Sequence, residues 1–351
     1  MAPSTQLPTT IRALTWSDVT PNVYSNLTFT DAAPLPPVAP NQVLIKVLSA
    51  ALNPADYKVA ESMPGLVRKR AFGTGQITPG MDFAGRIATI GAKVDNSKRG
   101  FKEGDLVFGR LSGPTQKHGT LAEYFPIAAE QIAKVPEGVS VDDAACLGVV
   151  GETTYQAIQP FVKSCDKVFI NGGSGGTGTF SIQIAKALGC HVTTSCSTGK
   201  IDLVKSLGAD EVIDYTKSDV VEELKKKGQV FSLVVDNVGT PEGLYKAADS
   251  FLLPKGRFIQ IGVGTALGDV VSVLKRALKP ALLGGGKRPY TMLFPKHHPD
   301  EMTVMANWVK EGKLKVVIEE PRYELENAAE GFKKLKEGKN RGKILVHVAK
   351  E

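Results

Sequence analysis

Val168-Phe-Ile-Asn-Gly-Gly-Ser-Gly-Gly-Thr-Gly178, followed by Thr179 to Leu188, decides the reading of this chain. A short β-rich apolar run enters a glycine turn, and a segment of helical period leaves it. Gly173, Gly175 and Gly178 satisfy G-x-G-x-x-G in the context that gives the pattern weight, between a strand and a helix. Gly173 allows the tight turn, Gly175 lets main chain approach a pyrophosphate, and Gly178 lets the helix pack on its strand. Ser174, Gly176 and Thr177 complete the turn. The helix start offers free N–H groups and a positive dipole end to phosphates. A dinucleotide site over Gly173 to Gly178 is the expectation.

The second strand, His191-Val-Thr-Thr-Ser-Cys196, ends about 20 residues past the first motif glycine, where an NAD site places an acid against the ribose. Ser197, Thr198, Gly199 and Lys200 stand there instead. Hydroxyls and an ammonium suit a 2′-phosphate, which a carboxylate would repel, so NADPH is the expected cofactor. The plainer alternative for Lys200 is a surface lysine at a helix start. Asp202, among Ile201, Leu203 and Val204, reads as a solvated helix face.

At 351 residues the chain has room for two domains. Its 42% hydrophobic and 23% charged content is that of a globular protein. The longest apolar runs, such as Phe231 to Val235, have strand length, so no membrane span is expected. Met1 to Thr10 is polar and contains proline. It lacks the apolar centre of a secretory signal and the repeated arginines of a transit peptide, so a cytoplasmic protein is expected. The net charge of +7 is dispersed. Arg68-Lys-Arg70, Lys225-Lys-Lys227 and Lys333-Lys334 read as solvated surface, and no nucleic-acid motif accompanies them. Cys146, Cys165, Cys190 and Cys196 show no C-x-x-C spacing, which argues for thiols rather than a disulfide framework or structural zinc.

From Ile11 to about Pro136, short strands such as Val43 to Leu48, Gly85 to Ile90 and Asp105 to Phe108 alternate with Pro, Gly and Asp turns. That spacing suggests an antiparallel, partly barrelled domain. From about Asp142, helix and strand alternate as in a parallel sheet. Strands are expected at His191 to Ser195, Glu211 to Asp214, Phe231 to Val235 and Arg257 to Ile261; helices are expected at Lys200 to Leu207 and Asp219 to Lys227. Leu267 to Pro295 is apolar and basic, and Gly284-Gly-Gly286 with Lys287 and Arg288 reads as a loop. The tail predicts a helix (Asp300 to Lys310), a strand (Lys315 to Ile318), a helix (Leu325 to Lys336) and a strand (Lys343 to Val348). The expected division is an N-terminal catalytic part over 1–141, a cofactor domain over 142–295, and a return to the first domain over 296–351.

Several further stretches carry a family resemblance. They are Asn53-Pro-Ala-Asp-Tyr-Lys58, Pro79-Gly-Met-Asp-Phe-Ala-Gly85, Gly104-Asp-Leu-Val-Phe-Gly109 and Gly119-Thr-Leu-Ala-Glu-Tyr124. Thr153-Thr-Tyr-Gln-Ala-Ile158, the glycine turn and Lys205 to Tyr215 continue it. From about Ile11 to Val348 the chain resembles the medium-chain dehydrogenase/reductase superfamily, in its zinc-free quinone oxidoreductase branch. It is similar there to quinone-oxidoreductase-like and alkenal reductase proteins of chloroplast and mitochondrion and to fungal relatives. The resemblance implies an α/β fold, a GroES-like partly barrelled β domain plus a Rossmann domain with a doubly wound parallel sheet. It implies that Tyr215 joins Ser197 and Lys200 around the adenosine phosphate. Thr153, Asn237, Val238, Gly262 and Val263 would line the diphosphate and nicotinamide. Homodimers formed by edge pairing of the Rossmann sheets are common in the family.

The alcohol dehydrogenase branch of that family binds zinc through a cysteine, a Gly-His-Glu and a later cysteine. The corresponding stretches here are Asn53-Pro-Ala, Gly80-Met-Asp82 and Gly148-Val-Val150, so no metal is expected. His297-His298 reads as an exposed loop before Pro299, and His118 as a loop residue. Without a Lewis acid, an activated alkene or quinone is a better hydride acceptor than a simple carbonyl, because its own carbonyl delocalises the arriving charge. Asn53 and Asp56 are candidate substrate-binding residues. Tyr57 and Lys58 are candidate proton donors; as neighbours on a helix they point about 100° apart, so one of them is expected to face the cofactor. A helix start explains part of the same segment, with Asn53 as cap, Pro54 in the first turn and Asp56 favouring the dipole. The expected activity is NADPH-dependent reduction of a quinone or of the C=C bond of an α,β-unsaturated carbonyl. Two alternatives stand beside it. One is a trans-acting enoyl reductase of a polyketide synthase, its Lys287-Arg288 loop meeting an acidic carrier. The other is a non-catalytic NADPH-binding protein.

Overall fold

The computed structural model describes residues 7–97, 99–241, 243–262 and 287–350. β1 (Thr10–Thr15) and β2 (Thr28–Pro34) pair antiparallel at the N-terminus. β3 (Gln42–Leu52) is the spine of the first domain. Its sequence QVLIKVLSAAL is apolar on nearly every residue, and nearly every residue is buried, as befits a strand covered on both faces. α1 (Ala55–Ser62) and α2 (Gly65–Phe72) follow it. β4 (Asp82–Ile90), β5 (Leu106–Arg110), β6 (Tyr124–Ala128) and β7 (Ile132–Lys134) complete the N-terminal run. β6 pairs with the first half of β3 and the C-terminal strand β15 (Ile344–His347) with its second half. Bulges between β3 and β4 at Leu44/Ile45 and Val47/Ser49 bend this branched sheet, which gives the partly barrelled shape.

After α3 (Val141–Ala145), capped by the Ser140 hydroxyl, and α4 (Val149–Ile158), the chain enters a parallel sheet. Its strands are β8 (Lys167–Asn171), β9 (His191–Cys196), β10 (Glu211–Asp214), β11 (Phe231–Asp236), β12 (Leu252–Gln260) and β13 (Tyr290–Met292). The order β10-β9-β8-β11-β12-β13 reverses between β8 and β11. That is the doubly wound Rossmann arrangement, whose ligand crevice lies outside the carboxyl ends of the strands at the reversal. α5 (Gly176–Ala187), α6 (Ile201–Ser206), α7 (Val220–Lys227) and α8 (Gly243–Lys246) connect these strands. α5 is buried along most of its length, Phe180, Ile182 and Ile184 fully, because it lies between the sheet and α4. On α7, Lys225 and Lys226 pair with Glu222 and Glu223 at the surface.

The tail holds α9 (Pro299–Lys310), β14 (Tyr323–Glu324) and α10 (Ala328–Glu337) before β15. β14 and β15 belong to the first sheet. Three local expectations change. Lys315 to Ile318 is not a strand: its main chain is held by the Gln183 amide, at Lys315 N and O, and by one bridge from Ile318 to Lys343. Tyr290–Met292, where no strand was expected, adds a sixth parallel strand. Lys200 closes a 3-10 turn ahead of α6 rather than starting the α-helix. Gly284-Gly-Gly286 lies outside the described residues. Among those described, no helix is long and apolar enough to cross a membrane.

Candidate active site

A cleft of about 700 Å³ opens where the parallel sheet reverses and runs to the start of α1. Its Rossmann wall is organised by one buried carboxylate. Asp236 Oδ1 accepts from Asn171 Nδ2 (2.8 Å) and from the N–H groups of Val238 (3.1 Å) and Gly239 (2.9 Å). Asn171 Oδ1 accepts from Ser195 Oγ (2.7 Å), which itself accepts from Gly172 N (2.9 Å). The ends of β8, β9 and β11 are thus tied together, and the glycine turn is held open above them. The adjoining Asn237 lines the cleft, and its buried Oδ1 and Nδ2 have no hydrogen-bond partner among the described residues. An amide left this way favours a ligand that supplies the missing partners.

The structure brings most of the sequence-derived candidates to this wall. Ser174, Gly175, Gly176, Thr177 and Gly178 line it, with Val238 beside Asn237. Lys200 and Tyr215 line its far end. The other described cofactor candidates do not line the cleft. Gly173 donates its N–H to Ser195 O inside the turn (2.9 Å). The Thr153 hydroxyl donates to Val149 O in its own helix (2.5 Å). Ser197 O accepts from Lys200 N in the 3-10 turn. Gly262 lies against the Asn237 carbonyl. Val263 is outside the described residues.

The opposite wall is the β3–α1 junction, with Asn53, Pro54, Tyr57 and Lys58 all on it. Both Tyr57 and Lys58 line the cleft, because it wraps around the first turn of α1. Burial, with a smaller contribution from Glu61, pushes the Tyr57 phenol up to about 12, so it is a hydrogen-bond donor at neutral pH. The Lys336 ammonium stands 5.6 Å from the Tyr57 ring centre and binds Glu61 (2.7 Å). Asn53 does not cap α1: its Nδ2 donates to Asp82 Oδ2 (2.9 Å) and its Oδ1 accepts from Lys343 Nζ (2.7 Å).

Asp56 is buried below the wall and does not line the cleft. Its Oδ2 accepts from Asn53 N (2.7 Å), while Oδ1 has no partner among the described residues. Burial raises its pKa to about 8, against the lowering effect of the Asn53 N–H. A carboxyl largely neutral at pH 7 adds little to the helix dipole, unlike the charged acid read from the sequence. The folded state then holds a proton that the unfolded chain has released above the ordinary carboxylate value. This group's contribution to stability therefore falls as pH rises from about 4 to about 8, by about 1.4 kcal/mol per unit. Asp56→Asn is expected to remove that slope. Urea unfolding of parent and variant from pH 5 to 8 measures it, and parallel curves would mean that Asp56 is ionised in the fold.

Comparison with known proteins fits this geometry. Residues 39–137 match the family described as "Alcohol dehydrogenase GroES-like domain" and residues 207–346 match "Zinc-binding dehydrogenase". The chain is 45% identical to the Aspergillus terreus protein named Trans-enoyl reductase pgmF, over 97% of each chain. It is 33% identical to the Arabidopsis thaliana Chloroplast envelope quinone oxidoreductase homolog, over 89% of this chain and 92% of that one. The quinone oxidoreductase structure from Coxiella burnetii superposes with a TM-score of 0.82 at 29% identity, covering 97% of this chain and 100% of that one. The chain belongs to the medium-chain dehydrogenase/reductase superfamily.

Despite the description "Zinc-binding dehydrogenase", the residues of this superfamily member do not fit zinc. Asp82 is committed to Lys343 Nζ, Asn53 Nδ2 and Val149 N. A side chain at Gly148 would run into Asp82, and among the described residues no three His, Cys, Asp or Glu side chains cluster to hold a metal ion. His297 is not exposed. It packs on Glu152 (3.1 Å), a fully buried carboxylate also bonded to Arg110 Nε and His298 N. Burial pushes the Glu152 carboxyl up, but His297, Arg110 and the His298 N–H outweigh it and hold the group below its usual range. His118 lies in a bend, half-buried. Lys287 pairs with Asp249, and the Arg288 guanidinium is bound to the Leu252 and Asp249 carbonyls.

Sequence reading missed Lys343, Lys336 and Asn340 on the cleft wall. It also missed Arg341, which bonds to Gly199 O beside Lys200 (3.3 Å).

Proposed function

We propose that this protein is an NADPH-dependent reductase that delivers hydride to the C=C bond of an α,β-unsaturated carbonyl compound or to a quinone, without a metal. The observation that carries the reading is the single continuous cleft, which joins the glycine turn and Lys200 to Tyr57 and Lys58 past the unpartnered Asn237 amide. When bound there, NADPH supplies the hydride. The free N–H groups at the start of α5 hold phosphate oxygens. Lys200 and Tyr215 hold the far phosphate, and Asn237 receives its missing hydrogen-bond partners from the cofactor. Lys58 donates to the acceptor's carbonyl oxygen, where charge gathers as the hydride arrives, and the Tyr57 phenol is the second donor on that wall. The acceptor's conjugation spreads the charge, so these donors can stabilise it without a Lewis acid. The two relatives and the Coxiella burnetii structure have names consistent with this reading. The cytosol is its proposed setting.

Lys58→Ala is expected to lower turnover by about 10² while NADPH affinity stays put, the loss usual for a positioned acid. An unchanged rate removes Lys58 from the reaction. The reading itself is tested by following NADPH oxidation with quinones, small enones and enoyl thioesters, with and without EDTA. Turnover that survives EDTA on the small acceptors supports it. A second reading, a trans-acting enoyl reductase, is favoured by the 45% identity to the enoyl reductase relative. Turnover confined to carrier-bound enoyl thioesters selects that reading, and NADPH binding without any turnover rejects both.

A further inference from the structure

Two consecutive residues just ahead of β15, Gly342 and Lys343, grip opposite walls of the cleft. Gly342 donates its N–H to Ser174 O (3.1 Å) and bridges in parallel to Gly175, so main chain holds the glycine turn. The next side chain reaches the other wall. Lys343 Nζ donates to Leu52 O (3.1 Å), Asn53 Oδ1 (2.7 Å) and Asp82 Oδ2 (3.1 Å). An ammonium has three protons to donate and no lone pair. All of its donors are taken by the chain itself, so Lys343 lines the cleft without a donor left for a ligand.

What these bonds hold is the entry to α1. The helix begins after Pro54 with no side-chain cap. Besides its own backbone bonds, the Leu52–Asn53 segment has the Asp56 carboxyl on Asn53 N, the Asp82 carboxylate and Ala51 O on Asn53 Nδ2, and Lys343. The Lys343 and Asp82 side chains are 1% and 0% exposed, so water does not substitute for any of them. We propose that Lys343 is a positioning residue: together with Gly342 it sets Tyr57 and Lys58 at a fixed height over the glycine turn. This rests on the functional reading above for the roles of Tyr57 and Lys58. No sequence motif carries it, because Lys343 lies 290 residues from Asn53 and 261 from Asp82.

The test uses Lys343→Met and the double variant Lys343→Met/Asp82→Asn in the full chain. The single variant leaves a buried carboxylate unmatched and is expected to be strongly destabilised. The double variant has a neutral cage, since an amide at position 82 still accepts from Asn53 Nδ2. In the double variant without cofactor, amide exchange of Asp56, Tyr57 and Lys58 is expected to rise at least about tenfold, with β8 and α5 unchanged. With NADPH and a small enone, kcat is expected to fall at least about tenfold, while the NADPH Kd stays within about threefold of the parent. Unaltered exchange at α1, exchange raised equally throughout the chain, or an unchanged kcat in an enzyme that turns over would each overturn the proposal. If the parent reduces no acceptor, the functional reading fails, and the exchange measurement still decides the positioning role.

Discussion

Gly175→Val is expected to leave the fold standing and to abolish useful NADPH binding. A Cβ at Gly175 meets no heavy atom within 4 Å, and its φ of −81° and ψ of 178° suit any L residue. The cost to the fold is that of a poorer helix cap, about 1 kcal/mol, or a few degrees in the thermal midpoint of a chain this size. The space that the valine fills is the cleft itself, at the mouth of α5, where the N–H groups of its first turn have no helical partner. A phosphate drawn to those groups has to approach the main chain closely, and two added methyl groups keep it away. The NADPH Kd is expected to rise by at least about 100-fold, or about 2.7 kcal/mol. Gly178 makes the control. Its Cβ would stand 2.1 Å from Gly172 O and 2.6 Å from the Gly173 carbonyl carbon, both main-chain atoms. Gly178→Ala is therefore expected to lose fold and binding together. Fluorescence titration beside thermal unfolding separates the two cases. Tight NADPH binding by folded Gly175→Val protein would place the phosphates elsewhere.

The Rossmann half was legible because its signals are local. Apolar strand runs, glycine turns and helical periods follow one another within a few residues, and Glu211–Asp214 forms a strand with the bounds that its sequence suggests. The glycine turn and Lys200, both on the cleft wall, likewise lie within a short segment. The opposite wall was less legible because long-range pairing decides it. Asn53 looks like a cap or a substrate ligand when only its neighbours are read. Lys343 and Asp82, far away in sequence, claim its amide instead. His297 sits in a polar, proline-flanked stretch that reads as exposed loop. Glu152 on α4 draws it inward, together with Arg110. Lys315 to Ile318 has strand composition, but Gln183 takes Lys315 N and O, and only Lys343 pairs with the main chain beyond it, which is one bridge and not a ladder. A buried polar side chain finds its partner in space, and sequence spacing does not encode that.

Lys200→Glu is expected to reverse or flatten the preference between the two nicotinamide cofactors, which in the parent should favour NADPH by at least about tenfold, or about 1.4 kcal/mol. Lys200 is half-buried at the far end of the cleft and donates to Asn340 O (3.1 Å). Burial pushes its pKa below the usual lysine value against the pull of Glu319, and Arg341 lowers it further. A 2′-phosphate at this end would restore a counter-charge, and a charge-assisted hydrogen bond of that kind contributes about 1.5–3 kcal/mol. Glutamate removes the attraction and adds repulsion, so NADPH affinity should fall by about 100-fold. NADH, with no phosphate there, should bind nearly as before. Lys200→Met removes the attraction alone and should lie between them. Salt provides an independent check, because a phosphate–ammonium contact at a half-buried site open to solvent is still partly screened: raising the ionic strength toward 1 M should shrink the parent's preference and leave that of Lys200→Met almost flat. Equal affinity of the parent for both cofactors would show that Lys200 does not select the phosphate, and its bond to Asn340 would then be its whole role.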